Sequence, residues 1–140
     1  MFLVIDNSEE HPSTRSAVAA RCGASKIIFY FWLNNKCVQR IFKSSHHTSI
    51  GACLEKFLIS RKLSLKNIKC LGVVMGAGRF TATRLAVTFA NTLAFCLKIP
   101  VIGLTENFLA NPPDFWLKKA KIAKAGKYVI ASYSGEARIG

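Results

Sequence analysis

Gly76, Gly78, Arg79 and Thr81 fall within "VVMGAGRFTATR", where an apolar run meets a glycine loop and then helix-forming residues. A loop that leaves a buried strand and opens a helix presents free backbone N–H groups at a positive dipole end, so a phosphate or nucleotide contact is chemically reasonable there. Gly76 and Gly78 match the start of a dinucleotide-binding fingerprint, but Thr81 takes the place of the third glycine and no Walker lysine follows. Arg79 adds a charge that could assist an anion. In the plainer reading the glycines supply a tight turn and Thr81 the helix cap, and the pattern alone favours it. A second cluster, "WLKKAKIAKAGK", sets Lys118, Lys119, Lys121, Lys124 and Lys127 within ten residues. Such a run is either a solvated face or a nucleic-acid contact.

A catalytic set is harder to assemble. His46 and His47 are adjacent and His11 stands apart, so no H-x-x-x-H metal pair exists. The five cysteines, Cys22, Cys37, Cys53, Cys70 and Cys96, come one per segment with no C-x-x-C pair, the pattern of reduced thiols. Cys53 and Cys96 fall on apolar helix positions with no paired base. Two-metal phosphodiester chemistry needs several converging carboxylates. Asp6 could be one, but Glu55 sits among basic neighbours, and Glu9, Glu10, Glu106, Asp114 and Glu136 fall in loops or chain ends. No intrinsic catalysis, metal or cofactor is expected.

At 140 residues the chain suits one domain that buries about two-thirds of its unfolded surface. Hydrophobic residues make up 51%, yet no apolar run reaches the roughly 18 residues of a membrane helix. "MFLVIDNSEE" is a poor signal peptide and a good first strand, which suggests a soluble cytoplasmic protein. Twenty Lys and Arg against seven Asp and Glu give a formal charge of +13, which implies an anionic partner.

The elements that must position these residues follow from periodicity. "FLVID" reads as a buried strand, and "KIIFYFWLNNKCVQRIFK" as two strands turning at Asn34-Asn35. "SEEHPSTRSAVAARCGAS" is a long loop. Ile50, Cys53, Leu54, Phe57 and Leu58 recur at helical spacing behind a Thr48 or Ser49 cap, with Arg61 and Lys62 near the helix end. "KCLGVVM" is an apolar strand covered on both faces. "TATRLAVTFANTLAFCLK" is a helix with two rows, Leu85, Phe89 and Leu93 on one side and Ala82, Ala86, Ala90 and Ala94 on another, so more than one face is covered. A strand in "IPVIGLT", a helical pair broken at Pro112-Pro113 and a last strand "KYVIASYS" complete the chain. This order suits an α/β domain with a mixed sheet flanked by helices, the plan of a ribonuclease H-like lobe.

The sequence resembles the TsaB (YeaZ) family, whose hallmark is a strand, Gly-Pro-Gly-Ser-Phe-Thr-Gly-x-Arg, a helix with a later Gly-Leu-Ala, and a strand with Pro and Gly. "GAGRFTATR" and "FANTLAFCLKIPVIGLT" match it at Gly76, Gly78, Phe80, Thr81, Arg84, Leu93, Ala94, Pro100 and Gly103. "FLVIDNS" looks like the family's opening strand, and "HHTSIGACLEKFLISRKLSLKNIKCLGVVMG" like its first helix, loop and next strand. Ala77, Arg79 and Ala82 stand where the family has Pro, Ser and Gly. The resemblance implies a lobe of the actin/Hsp70-like ATPase superfamily over residues 1–126, with residues 127–140 a C-terminal strand left from a second lobe. It also implies a non-catalytic scaffold that pairs with a TsaD-like subunit, with a TsaE-like ATPase in the same complex, in threonylcarbamoyl modification of the adenosine next to the tRNA anticodon. A homodimer in isolation is a further implied state.

By that resemblance Leu54, Leu58, Ala82, Ala86, Phe89, Ala90 and Ala94 are expected at the partner interface. Spacing leaves open which of them face the sheet instead. Lys118, Lys119, Lys121 and Lys124 are expected to contact tRNA. The alternatives are a ribonuclease H-like nuclease or junction resolvase built around Asp6, and a basic RNA-binding module that acts alone.

Overall fold

The computed structural model describes residues 1–7, 26–33, 36–43, 48–76, 80–105 and 107–132. The Asn34-Asn35 turn, the loop before Lys26, the three histidines, Gly78, Arg79, Glu106 and residues 133–140 lie outside the described residues.

Five strands, β1 (Phe2–Asp6), β2 (Lys26–Leu33), β3 (Lys36–Lys43), β4 (Cys70–Val74) and β5 (Val101–Leu104), form one sheet in the order β3-β2-β1-β4-β5. β2 runs antiparallel to both of its neighbours, β1 and β3, whereas β4 and β5 run parallel to β1. The expected neighbourhood of the first three strands is therefore observed. Every residue of β1 and β4 is buried, as continuous apolar strands at the middle of a covered sheet should be. β3, at the edge, is mostly exposed.

Strand alternation divides the core. Leu3, Ile5, Phe29, Phe31, Leu71 and Val73 face α1 (Ile50–Ser60) and α2 (Phe80–Leu97). Phe2, Val4, Tyr30, Trp32, Ile102 and Leu104 face Phe108 and α3 (Pro113–Ile122). On the α3 side the Trp116 indole N–H donates to the Phe108 carbonyl, whereas the Trp32 indole N–H is buried without a hydrogen-bond partner.

α1 buries the five apolar positions read from the sequence, and the Ser49 hydroxyl accepts from the Ala52 N–H at 3.1 Å. Both long helices end on a lysine in the left-handed region, Lys62 (φ 54) and Lys98 (φ 55). In each case the next two amides turn back: Lys62 N–H to Ile59 O and Leu63 N–H to Leu58 O, then Lys98 N–H to Phe95 O and Ile99 N–H to Ala94 O. This is the paired hydrogen-bond pattern of a Schellman stop, with lysine where glycine is usual. The expected helical pair after β5 is one 3₁₀ turn (Phe108–Ala110) and α3, which starts at Pro113.

Candidate functional site

The parallel strands β1, β4 and β5 deliver their carboxyl ends to one rim of the sheet, where the helices and the C-terminal segment meet. Asn7, just past β1, is buried and donates from Nδ2 to the Ala82 carbonyl at 3.1 Å, tying the first turn of α2 to the strand end. Its Oδ1 is buried without a hydrogen-bond partner. Gly76, just past β4, has φ +88, and a Cβ there would stand 2.9 Å from the Ser132 carbonyl oxygen. Glycine is thus required twice at this point, by conformation and by close approach. α2 already begins at Phe80, so the exposed Thr81 lies inside the first turn and not ahead of it as a cap.

Residues 127–132 were expected to open a last strand, but they carry no strand ladder. The segment is held by a side chain: Asn91 of α2 donates from Nδ2 to the Val129 carbonyl at 2.8 Å and accepts at Oδ1 from the Val129 N–H at 2.9 Å. An amide side chain that satisfies both backbone groups of one residue replaces the partner strand. Val129 turns inward against Gly103, and Ala131 packs on the core. Tyr128 and Ile130, on either side of Val129, are left exposed.

The expected lysine cluster divides. α3 stops at Ile122 with Asp114 in its first turn and Lys119 and Lys121 in its last, a placement that suits its dipole at both ends. Lys124 and Lys127 lie beyond it, around a turn at Gly126 (φ +87). Lys119, Lys124 and Lys127 line an open groove of about 610 Å³ between the end of α3, β5 and Tyr128–Ile130, while Lys118 and Lys121 are exposed outside it. Lys119 also rests its Nζ 5.5 Å from the centre of the Trp116 ring.

The expected interface residues sort by burial. Ala86, Ala90 and Ala94 are buried against the sheet, and Leu54 and Leu58 belong to the same core. The side chains of these five are buried within the chain's own core. Ala82 and Phe89 are half-buried, and the Phe89 ring lies 3.5 Å from where a Cβ on Gly51 would be, so Phe89 fills the seam between α1 and α2. The outward face of α2 carries Leu85, Thr88, Thr92 and Phe95 instead, with Leu85 54% and Phe95 67% exposed. On α1, Ile59 is exposed as well. Alanine allows close approach to a sheet as readily as to another helix, so spacing could not separate the two cases. Asn91 gave a faint signal as the one amide side chain in α2. Tyr128 gave none.

Among the described residues, burial shifts thiols and a phenol upward. Burial pushes the Cys70 thiol up to about 12 and raises that of Cys53, against the opposing charge of Lys56, the reverse of what a nucleophilic thiolate needs. Burial and then the Asp6 charge push Tyr30 up to about 12. Asp6 is buried at the end of β1, and among the described residues no three His, Cys, Asp or Glu side chains are grouped so that they could hold a metal ion. No helix among the described residues is long and apolar enough to cross a membrane.

A mixed five-stranded sheet in this order, covered by helices on both faces, is a ribonuclease H-like lobe of the actin/Hsp70-like kind. The family model described as "TsaD: tRNA N6-adenosine threonylcarbamoyltransferase" matches residues 38–107. The tRNA threonylcarbamoyladenosine biosynthesis protein TsaB of Buchnera aphidicola subsp. Schizaphis graminum is 31% identical over 138 residues, 97% of this chain and 60% of that protein. Its counterpart from subsp. Acyrthosiphon pisum is 32% identical over 73 residues, 52% of this chain and 31% of that one. Among solved structures, YeaZ from Pseudomonas aeruginosa has a TM-score of 0.55 at 18% identity, over 74% of this chain and 43% of that chain. The chain therefore belongs to this family, in its TsaB (YeaZ) group. It spans about 60% of the first of these curated relatives.

Proposed function

We propose that the chain is a non-catalytic subunit that pairs with a TsaD-like enzyme in threonylcarbamoyl modification of the adenosine next to the tRNA anticodon, in the cytoplasm, with a TsaE-like ATPase in the same assembly. The observation that carries the reading is the outward face of α2. Leu85 and Phe95 are large apolar side chains left exposed on a helix whose other side is fully packed on the sheet. Apolar anchors of this type dominate helix-mediated contacts. The TsaB names of the curated relatives fit this role, and the raised cysteine pKa values fit a subunit without a nucleophile. In the absence of the enzyme the same face can bring two copies of this chain together.

The test is co-purification with a TsaD-like protein, followed by binding measurements on Leu85→Glu and Phe95→Glu. Both variants should fold, and each should weaken the pairing by about 2 kcal/mol or more if the residue is a central anchor. Undiminished pairing in a folded double variant would remove this face from the mechanism. Metal-dependent nucleic-acid cleavage lost in Asp6→Ala would replace the whole reading with a nuclease.

A further inference from the structure

Three features coincide at the end of β5. Lys119, Lys124 and Lys127 line one open groove, and among the described residues none of them has a carboxylate partner, in a chain of formal charge +13. Tyr128 lines the same groove with 63% of its surface exposed. The segment that carries Tyr128 is fixed by the two hydrogen bonds between Asn91 and Val129, which turn Val129 inward and leave its two neighbours outward. An exposed ring on a tethered stretch of backbone, beside lysines that have no carboxylate partner among the described residues, suits a flat anionic ligand, because the segment has less freedom to lose on binding.

We propose that this groove binds an unpaired stretch of tRNA, with phosphates on Lys119, Lys124 and Lys127 and a base stacked on Tyr128. This rests on the tRNA-modification reading above but is independent of the pairing surface on α2. An open trough suits a strand that passes through, whereas a small ligand would need an enclosed cavity. Lysines on flexible stems suit a series of phosphates, and the exposed ring selects a nucleic acid over an acidic peptide, which has no base to stack. Base stacking also separates an unpaired strand from a duplex, whose base faces are already covered.

The test uses the full chain and a fluorescent single-stranded RNA of roughly 12 nucleotides, titrated at several salt concentrations. Neutralising three phosphates contributes about 2 to the slope of log affinity against log salt, so the Lys119→Gln, Lys124→Gln, Lys127→Gln variant should lose about that much slope. Tyr128→Ala should bind about tenfold more weakly, and Tyr128→Phe should bind as the parent does. A control variant with equal charge change, Lys56→Gln, Lys62→Gln, Lys66→Gln, should keep most of the affinity. Equal losses in the two triple variants would overturn the proposal in favour of diffuse charge attraction. So would duplex binding as tight as single-strand binding with no effect of Tyr128→Ala, or polyglutamate binding as tight as RNA and lost with the same lysines. TsaD co-purification of the same variants is scored separately: groove variants that still pair but no longer bind RNA support the groove, and failure of pairing in the parent leaves the RNA result standing alone.

Discussion

Gly72 sits in the middle of β4 with no space above it. A Cβ there would come within 2.9 Å of Leu104 Cδ1 and 3.0 Å of both Phe2 Cζ and Val4 Cγ2, three side chains fixed in a packed core. Overpacking of this kind typically costs 1–3 kcal/mol, so Gly72→Ala should lower the urea midpoint by about that stability. Protons report on the same region. Cys70 and Tyr30 are each pushed up to about 12 in the folded chain, from ordinary values of 9.0 and 10.0. The folded state therefore keeps protons that the unfolded state releases. The stability this contributes is fully present below pH 9 and is lost as pH rises toward 12. Denaturation midpoints measured from pH 8 upward should fall, and the fall should flatten in Cys70→Ala and in Tyr30→Phe.

Helix ends and helix faces behave as units. Lys62 and Lys98 occupy the left-handed stop position of α1 and α2, where a side chain costs roughly 1–2 kcal/mol that glycine does not. Lys98→Gly should raise the melting temperature by an amount worth about 0.5–1 kcal/mol, since glycine gives back part of the gain through its unfolded-state entropy. The two faces of α2 should respond in opposite ways to charge. Ala90 is fully buried, so Ala90→Glu places an unpaired carboxylate in the core and should cost about 3 kcal/mol or more, whereas Leu85→Glu should leave the melt within about 0.5 kcal/mol of the parent. Asn91→Ala removes both bonds to Val129, and hydrogen exchange at the Val129 amide should become the fastest-changing probe in the sheet half of the molecule.

At the scale of the molecule, one face of the sheet has two helices and the other has α3, and each leaves something unsatisfied at its outer surface. The α2 side presents exposed apolar side chains, and the rim beside α3 presents lysines without a carboxylate partner among the described residues and the exposed ring of Tyr128. On the two proposals above, the surfaces take different partners, an apolar protein face for the first and a polyanion for the second. Pairing with an enzyme should therefore be nearly insensitive to salt, while RNA binding should weaken steeply with it. Isothermal titration at two ionic strengths separates the two terms in one preparation. A pairing affinity that falls with salt as steeply as RNA binding would move the enzyme contact onto the lysine rim.

Local rules were enough for the five strands, for α1 with a cap at Thr48 or Ser49, of which the structure uses Ser49, and for the change of period at Val73 to Arg84, because buried strands and amphipathic helices write their faces into the spacing of apolar residues. Net charge and the lysine cluster are likewise properties of composition. Tertiary structure decided what spacing leaves degenerate. A row of alanines fits against a sheet or a partner helix equally well, and packing alone assigned Ala86, Ala90 and Ala94 to the sheet and Leu85 and Phe95 to the outside. "KYVIASYS" has strand composition, but a strand also needs a neighbour with free backbone groups, and Asn91 took that place at Val129. The groove joins residues from α3, β5 and the C-terminal segment, elements whose relative placement follows from how the chain packs and not from any one stretch of it.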